Sequence, residues 1–116
     1  MRILIIDDNA AARFMLKEML EANGLRVVAE AEDLQGALQA YKAQKPDAVT
    51  LDLSLQSQDG MAVLKALKSL DPHAKVVVIS GNSQKKTLDE AFAAGASDFL
   101  AKPIDQDHLK KAFGTE

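Results

Sequence analysis

The 116-residue chain contains no cysteine. That excludes disulfides, zinc-thiolate centres and thiol chemistry, and it is compatible with a reducing compartment. Long apolar runs are also missing. Ile3 to Ile6 follow a single Arg2 and are broken at once by Asp7-Asp8, so the N-terminus reads neither as a membrane span nor as a secretory signal. Nor is there a basic excess: 14 Lys and Arg against 17 Asp and Glu leave a formal net charge of -3. Direct nucleic-acid binding, which draws on clustered cations, is therefore not expected. Linkers, low-complexity tracts and repeats are absent as well. The composition leads to a soluble, cytoplasmic protein forming one domain over residues 1–116. A chain of this length buries roughly two-thirds of its unfolded surface and needs no metal or disulfide staple.

What is present is a regular alternation of apolar runs and amphipathic stretches. Short strands are expected at Arg2 to Ile6, Arg26 to Ala31, Asp47 to Leu53, Lys75 to Ile79 and Ser97 to Ala101. Between them lie segments of helical period. The first, Ala10 to Asn23, places Ala12, Met15, Leu16, Met19 and Leu20 on one side, with Arg13, Lys17 and Glu21 opposite and Phe14 among the charges. Gly24 stops it. Asp33 is the expected N-cap of a helix burying Leu34, Ala37, Leu38 and Tyr41. A third helix follows Asp59-Gly60, with Val63, Leu64, Leu67 and Leu70 inward, and Asp71-Pro72 closes it. A fourth, from about Gln84, buries Leu88, Ala91 and Phe92; Asp105 caps a short fifth with Leu109, Ala112 and Phe113. Five strands alternating with five helices predict an α/β fold, a doubly wound parallel sheet. The flavodoxin-like order 2-1-3-4-5 is the expected topology.

In such a sheet, ligands bind beyond the carboxyl ends of the strands, where the strand order reverses. The residues at those exits are chemically suggestive. Asp7 and Asp8 follow the first strand, Asp52 ends the third, Ser80 follows the fourth, and Lys102 follows the fifth. Each has an ordinary reading as a cap, a turn residue or a solvated charge. Together they are harder to dismiss, because crowded carboxylates repel unless cations are recruited. Lys102 would have to span two strand spacings, roughly 10 Å at the backbone, to meet Asp52. Hard oxygen ligands point to Mg²⁺, and the chemistry inferred is phosphoryl transfer.

With Asp7-Asp8, Asp52, Asp59-Gly60, Ser80 and Phe99…Lys102-Pro103 in this order, the chain resembles the receiver domains of two-component response regulators over essentially its whole length. The resemblance implies that Asp52 is a nucleophile taking a phosphoryl group from a histidine kinase, a histidine phosphotransfer protein or a small phosphodonor. It implies Mg²⁺ held by Asp8 directly, by Asp7 largely through water, by Asp52, and by the backbone carbonyl of Ser54. Lys102 and Ser80 would bind phosphoryl oxygens, and the Lys102-Pro103 peptide would be cis, with Gly60 in a structural role. Ser80 and Phe99 would form the switch that changes the surface of the fourth helix, fifth strand and fifth helix, where a downstream protein docks. Ser54 and Asn82 would tune the phosphoryl lifetime. No output domain is expected, and the protein would be a monomer or a phosphorylation-dependent dimer, with chemotaxis among its settings. Its only enzymatic activity would be on itself, phosphorylation and slow dephosphorylation.

Two departures from the family pattern stand out: Gln56 where a Pro is common, in a polar Leu53 to Gln58 loop expected to be mobile, and Phe99 without the hydroxyl of the Tyr often found there. Three other readings compete. A nucleotide or flavin binder lacks its Gly-rich loop here, since two carboxylates stand at the first strand exit instead. An aspartyl phosphohydrolase would carry D-x-D, not Asp7-Asp8-Asn9. A pseudo-receiver serving only as an interaction module, or a fragment of a transcription factor or hybrid kinase, is the remaining alternative.

Overall fold

In the computed structural model, which describes residues 1–55, 59–82 and 84–114, strands and helices alternate throughout. The order is β1 (Arg2–Ile6), α1 (Ala10–Ala22), β2 (Arg26–Ala31), α2 (Leu34–Gln44), β3 (Ala48–Asp52), α3 (Gly60–Leu70), β4 (Val76–Ser80), α4 (Lys85–Ala93), β5 (Asp98–Ala101) and α5 (Gln106–Phe113). All pairings are parallel, in the order β2-β1-β3-β4-β5. The central strands β3 and β4 are buried at every position, as a strand covered on both faces must be.

Alternation along the strands sorts the core into two layers. Leu4, Ile6, Val49, Leu51, Val76 and Val78 face α2, α3 and α4, while Ile3, Ile5, Ala48, Val77, Ile79 and Leu100 face α1 and α5. Burial of one such aliphatic side chain is worth about 1.5–3 kcal/mol. Helix starts follow local chemistry: Asn9, Asp33, Asp59 and Asp105 each accept a backbone N–H of the first turn. Gly24 and Gly95 follow the ends of α1 and α4 with positive φ.

The expected inner faces need adjustment at four places. Met15 is 66% exposed, because α1 packs along Leu16 and Leu20 and leaves Met15 outside that stripe beside the exposed Phe14. Arg13, assigned to the outer side by period alone, is instead largely covered. Leu70 and Phe92 lie near helix ends where the neighbouring layer no longer covers them, and both are exposed. Strand β5 starts one residue later than expected, at Asp98. The mobility expected of the Leu53 to Gln58 loop, with its Gln56, falls in part on residues 56–58, outside the described residues. No helix among the described residues is long and apolar enough to cross a membrane.

Candidate functional site

Three parallel strands deliver the site. Strand β1 pairs with β3 so that Ile6 lies opposite Leu51, which puts Asp7 and Asp52 at the same height on adjacent strand ends. Strand β4 pairs with β3 through Asp52 and Ile79, placing Ser80 one residue beyond. Among the described residues, Asp7, Asp52 and Ser80 are three of the four buried polar ones, at 7%, 4% and 3% exposure. Parallel pairing in register, and not proximity in sequence, gathers them.

Asp52 is held on both oxygens. Its Oδ1 accepts the Ser54 N–H at 2.7 Å, and its Oδ2 lies 2.5 Å from Lys102 Nζ. The lysine crosses from the end of β5, two strands away, while its own N–H is fixed 3.0 Å from the Ser80 carbonyl. The following Lys102–Pro103 peptide is cis. Asp7 is tied at several points as well: its N–H donates to the Ala31 carbonyl and its Oδ1 accepts the Asn9 N–H. Burial pushes the Asp7 carboxyl above the ordinary carboxylate range. The Asn9 N–H opposes that rise, the facing Asp52 carboxylate adds to it, and Lys102 partly offsets it.

Asp7 is a buried carboxylate whose charge the buried Asp52 carboxylate further disfavours, an unfavourable arrangement that a further cation would relieve. Asp8 is half-buried beside them, yet among the described residues no three carboxylate or histidine side chains converge as a metal-holding group. That fits Mg²⁺, which binds through one or two carboxylates and keeps several waters.

Around this centre the Ser80 hydroxyl accepts the Asn82 N–H at 3.0 Å, leaving its own proton available to a new acceptor. Ser54 and Asn82 are exposed at the mouth. Gly60, at the start of α3, packs directly on the backbone of Leu53. Phe99 is partly buried against the layer containing α4, and with Leu88, Leu100, Ala101 and His108 it lines an open cleft of about 230 Å³. On the other flank Lys102, Pro103 and Ile104 join Ala12, Met15, Leu16 and Met19 around an apolar groove of about 510 Å³. Sequence reasoning overlooked Arg13, whose guanidinium bonds the Asp7 carbonyl. Only its position in the first turn of the helix that follows the acidic pair could have suggested this.

A profile of the response regulator receiver domain matches residues 3–114. The chemotaxis protein CheY of Bacillus subtilis is 41% identical over 111 residues, covering 96% of this chain and 92% of that protein. The CheX-CheY-BeF3-Mg complex of Borrelia burgdorferi contains a chain of TM-score 0.91 and 26% identity, covering 97% of this chain and 85% of that one. A Burkholderia pseudomallei response regulator with a phosphorylated aspartic acid matches with TM-score 0.85 and 32% identity, over 96% of this chain and 65% of that one. The chain belongs to the response regulator receiver domain family. It is a homologue of CheY, of the class of phosphorylatable switches used in two-component signalling.

Proposed function

We propose that Asp52 is the phosphoacceptor of this switch and that residues 1–116 act as a single receiver domain in the cytoplasm. The observation that carries the assignment is the setting of Asp52. It is a buried carboxylate at a strand end, held by one cation, facing a second carboxylate and flanked by a strand-end hydroxyl.

In the reaction, an Asp52 carboxylate oxygen attacks the phosphorus of a phosphohistidine or small acyl phosphate. The O–P bond forms as the bond to the donor breaks, and the leaving imidazole nitrogen or carboxylate takes the electron pair. Asp8 directly, Asp7 largely through water, Asp52 and the Ser54 carbonyl would hold Mg²⁺, which would supply positive charge for the phosphoryl oxygens. Lys102, released from its ion pair when Asp52 is esterified, binds one phosphoryl oxygen as a point charge. Ser80 donates its hydroxyl proton to another. Ser54 and Asn82, exposed at the mouth, border the approach of the water that later hydrolyses the acyl phosphate.

The donor protein is a histidine kinase or histidine phosphotransfer protein. Its place is supported by the apolar groove of α1 and Pro103–Ile104, because Lys102 belongs to both groove and site. Movement of Ser80 toward the phosphoryl group frees space for Phe99 to turn inward. That remodels the cleft between α4, β5 and α5 where the downstream protein docks.

Acetyl phosphate with Mg²⁺ is expected to add one phosphoryl group by intact mass, and Asp52→Ala to abolish it. A wild-type protein without an adduct, or an undiminished adduct on the variant, would overturn the assignment. Beryllofluoride with Mg²⁺ should reorient Phe99 in a crystal structure, and an unchanged ring would remove the switch.

A further inference from the structure

Asp7 and Asp8 sit in a short connection between β1 and α1, and such segments are mobile unless their backbone is tied. The Asp7 carbonyl lies in a mostly buried residue and needs a partner. It receives one from a distance: Nη1 of Arg13 donates to it at 2.6 Å. Arg13 stands in the first turn of α1, and helical side chains lean toward the N-terminus, so its guanidinium is carried back over the connection. Nε of the same guanidinium donates to Glu30 Oε1 at 3.0 Å. Glu30 lies on β2 opposite Ile5, on the neighbouring strand. The next β2 residue, Ala31, accepts the Asp7 N–H.

One planar group thus bridges the strand-end backbone and the adjacent strand. The consequence concerns Asp8. The Asp7 carbonyl and the Asp8 N–H share one rigid peptide plane, so fixing the carbonyl fixes the direction in which the chain presents Asp8. With the Asp7 N–H tied to Ala31 and its Oδ1 tied to Asn9, the Arg13 bond completes the restraint. The Arg13 side chain is only 14% exposed, so the bond is sheltered from competing water. A lysine could reach the carbonyl or Glu30 but lacks the planar fork that bonds both at once.

We propose that Arg13, oriented by Glu30, is a positioning residue that preorganises Asp7 and Asp8 for a divalent cation and so sets the Mg²⁺ affinity of the site. Arg13 touches neither the cation nor the phosphoryl group; it acts through the Asp7–Asp8 peptide. The inference rests on the reading of these carboxylates as cation ligands.

Isothermal titration calorimetry with MgCl₂, in the absence of any phosphodonor, tests it. Loss of such supporting bonds weakens metal binding about 10- to 100-fold in general, and Arg13→Met is expected to fall in that range. Arg13→Lys should fall between it and wild type, and Glu30→Gln, which keeps an acceptor for Nε, should stay near wild type. The Mg²⁺ concentration for half-maximal phosphorylation by acetyl phosphate should rise in parallel in Arg13→Met, with the rate at saturating Mg²⁺ largely kept. Arg26→Gln, exposed at the far end of β2, serves as the control. Should Arg13→Met fail to fold, Glu30→Ala, which leaves the Asp7 contact but frees the guanidinium, should still weaken Mg²⁺ binding measurably. Affinities within twofold of wild type in folded Arg13→Met, or in Glu30→Ala if it alone folds, would overturn the positioning role while leaving the cation site intact. No Mg²⁺ binding by the wild type would overturn the cation site itself, and the positioning role with it.

Discussion

Lys102 Nζ lies 2.5 Å from Asp52 Oδ2, joining residues from strands that are not neighbours in the sheet. The carboxylate is buried and the lysine is partly exposed, so the pair is a sheltered anion capped by a cation at the mouth. Its removal leaves Asp52 facing Asp7 with one compensating charge fewer.

Lys102→Ala is therefore expected to lower stability in EDTA by about 1–2 kcal/mol. The cost is that of a charge-assisted hydrogen bond, discounted because the lysine end is partly solvated. Added Mg²⁺ should restore more stability to this variant than it adds to wild type. Urea midpoints with and without Mg²⁺ measure both effects, and equal midpoints for variant and wild type in EDTA would show that the pair contributes nothing.

Asp7→Asn keeps the shape of a buried side chain but removes a charge that burial and Asp52 both disfavour. Its unfolding temperature in EDTA should exceed that of wild type. Mg²⁺ at a hundred times its dissociation constant should stabilise wild type by about 2.7 kcal/mol and the variant much less. Calorimetric scans at fixed pH provide the comparison, and a Mg²⁺ response undiminished in the variant would exclude Asp7 as a ligand.

A Cβ built on Gly60 would stand 2.5 Å from Leu53 Cα and 2.7 Å from the Leu53 carbonyl oxygen. Backbone cannot yield as a side chain would, so Gly60→Ala must displace the chain immediately after Asp52. A cost of about 1–3 kcal/mol is expected, as for other overpacking changes. Autophosphorylation by acetyl phosphate should slow at the same time. Unchanged stability and rate would mean that α3 can shift away freely.

The Tyr41 hydroxyl donates to Asp71 Oδ2 at 2.8 Å across the opposite end of the molecule, between α2 and the end of α3. Burial, with the bond and charge of Asp71, pushes the tyrosine up to about 12 from an ordinary 10.0. The hydroxyl in turn holds the Asp71 carboxyl below its ordinary range. An unfolded chain releases the tyrosine proton near 10 while the folded chain keeps it. The contribution of Tyr41 is thus fully present below pH 10 and lost as the pH rises through about 12. Tyr41→Phe should flatten this part of the alkaline stability profile and raise the Asp71 carboxyl pKa in an NMR titration. An unaltered profile would show that the bond does not persist in solution.

The amino-acid sequence by itself determined the fold class. Strand β3 is apolar at nearly every position because both faces are covered, and Asn or Asp before a helical period marks most helix starts. Alternation in chain order leaves few topologies once crossovers are right-handed. The acidic pair, Asp52, Ser80 and Lys102 were also legible, since charges and a hydroxyl at strand exits have no packing reason to be there. Periodicity could not say which flank of α1 packs inward. It placed Met15 inside and Arg13 outside, and the structure reverses both, because the stripe a helix buries is set by the layer it meets and not by its own hydrophobicity. Only tertiary structure decided that the Asp52 charge bears on the buried Asp7, and that Arg13 closes on the Asp7 carbonyl and Glu30. Those relations depend on strand register and side-chain reach between segments far apart in the chain, quantities that a linear pattern does not contain.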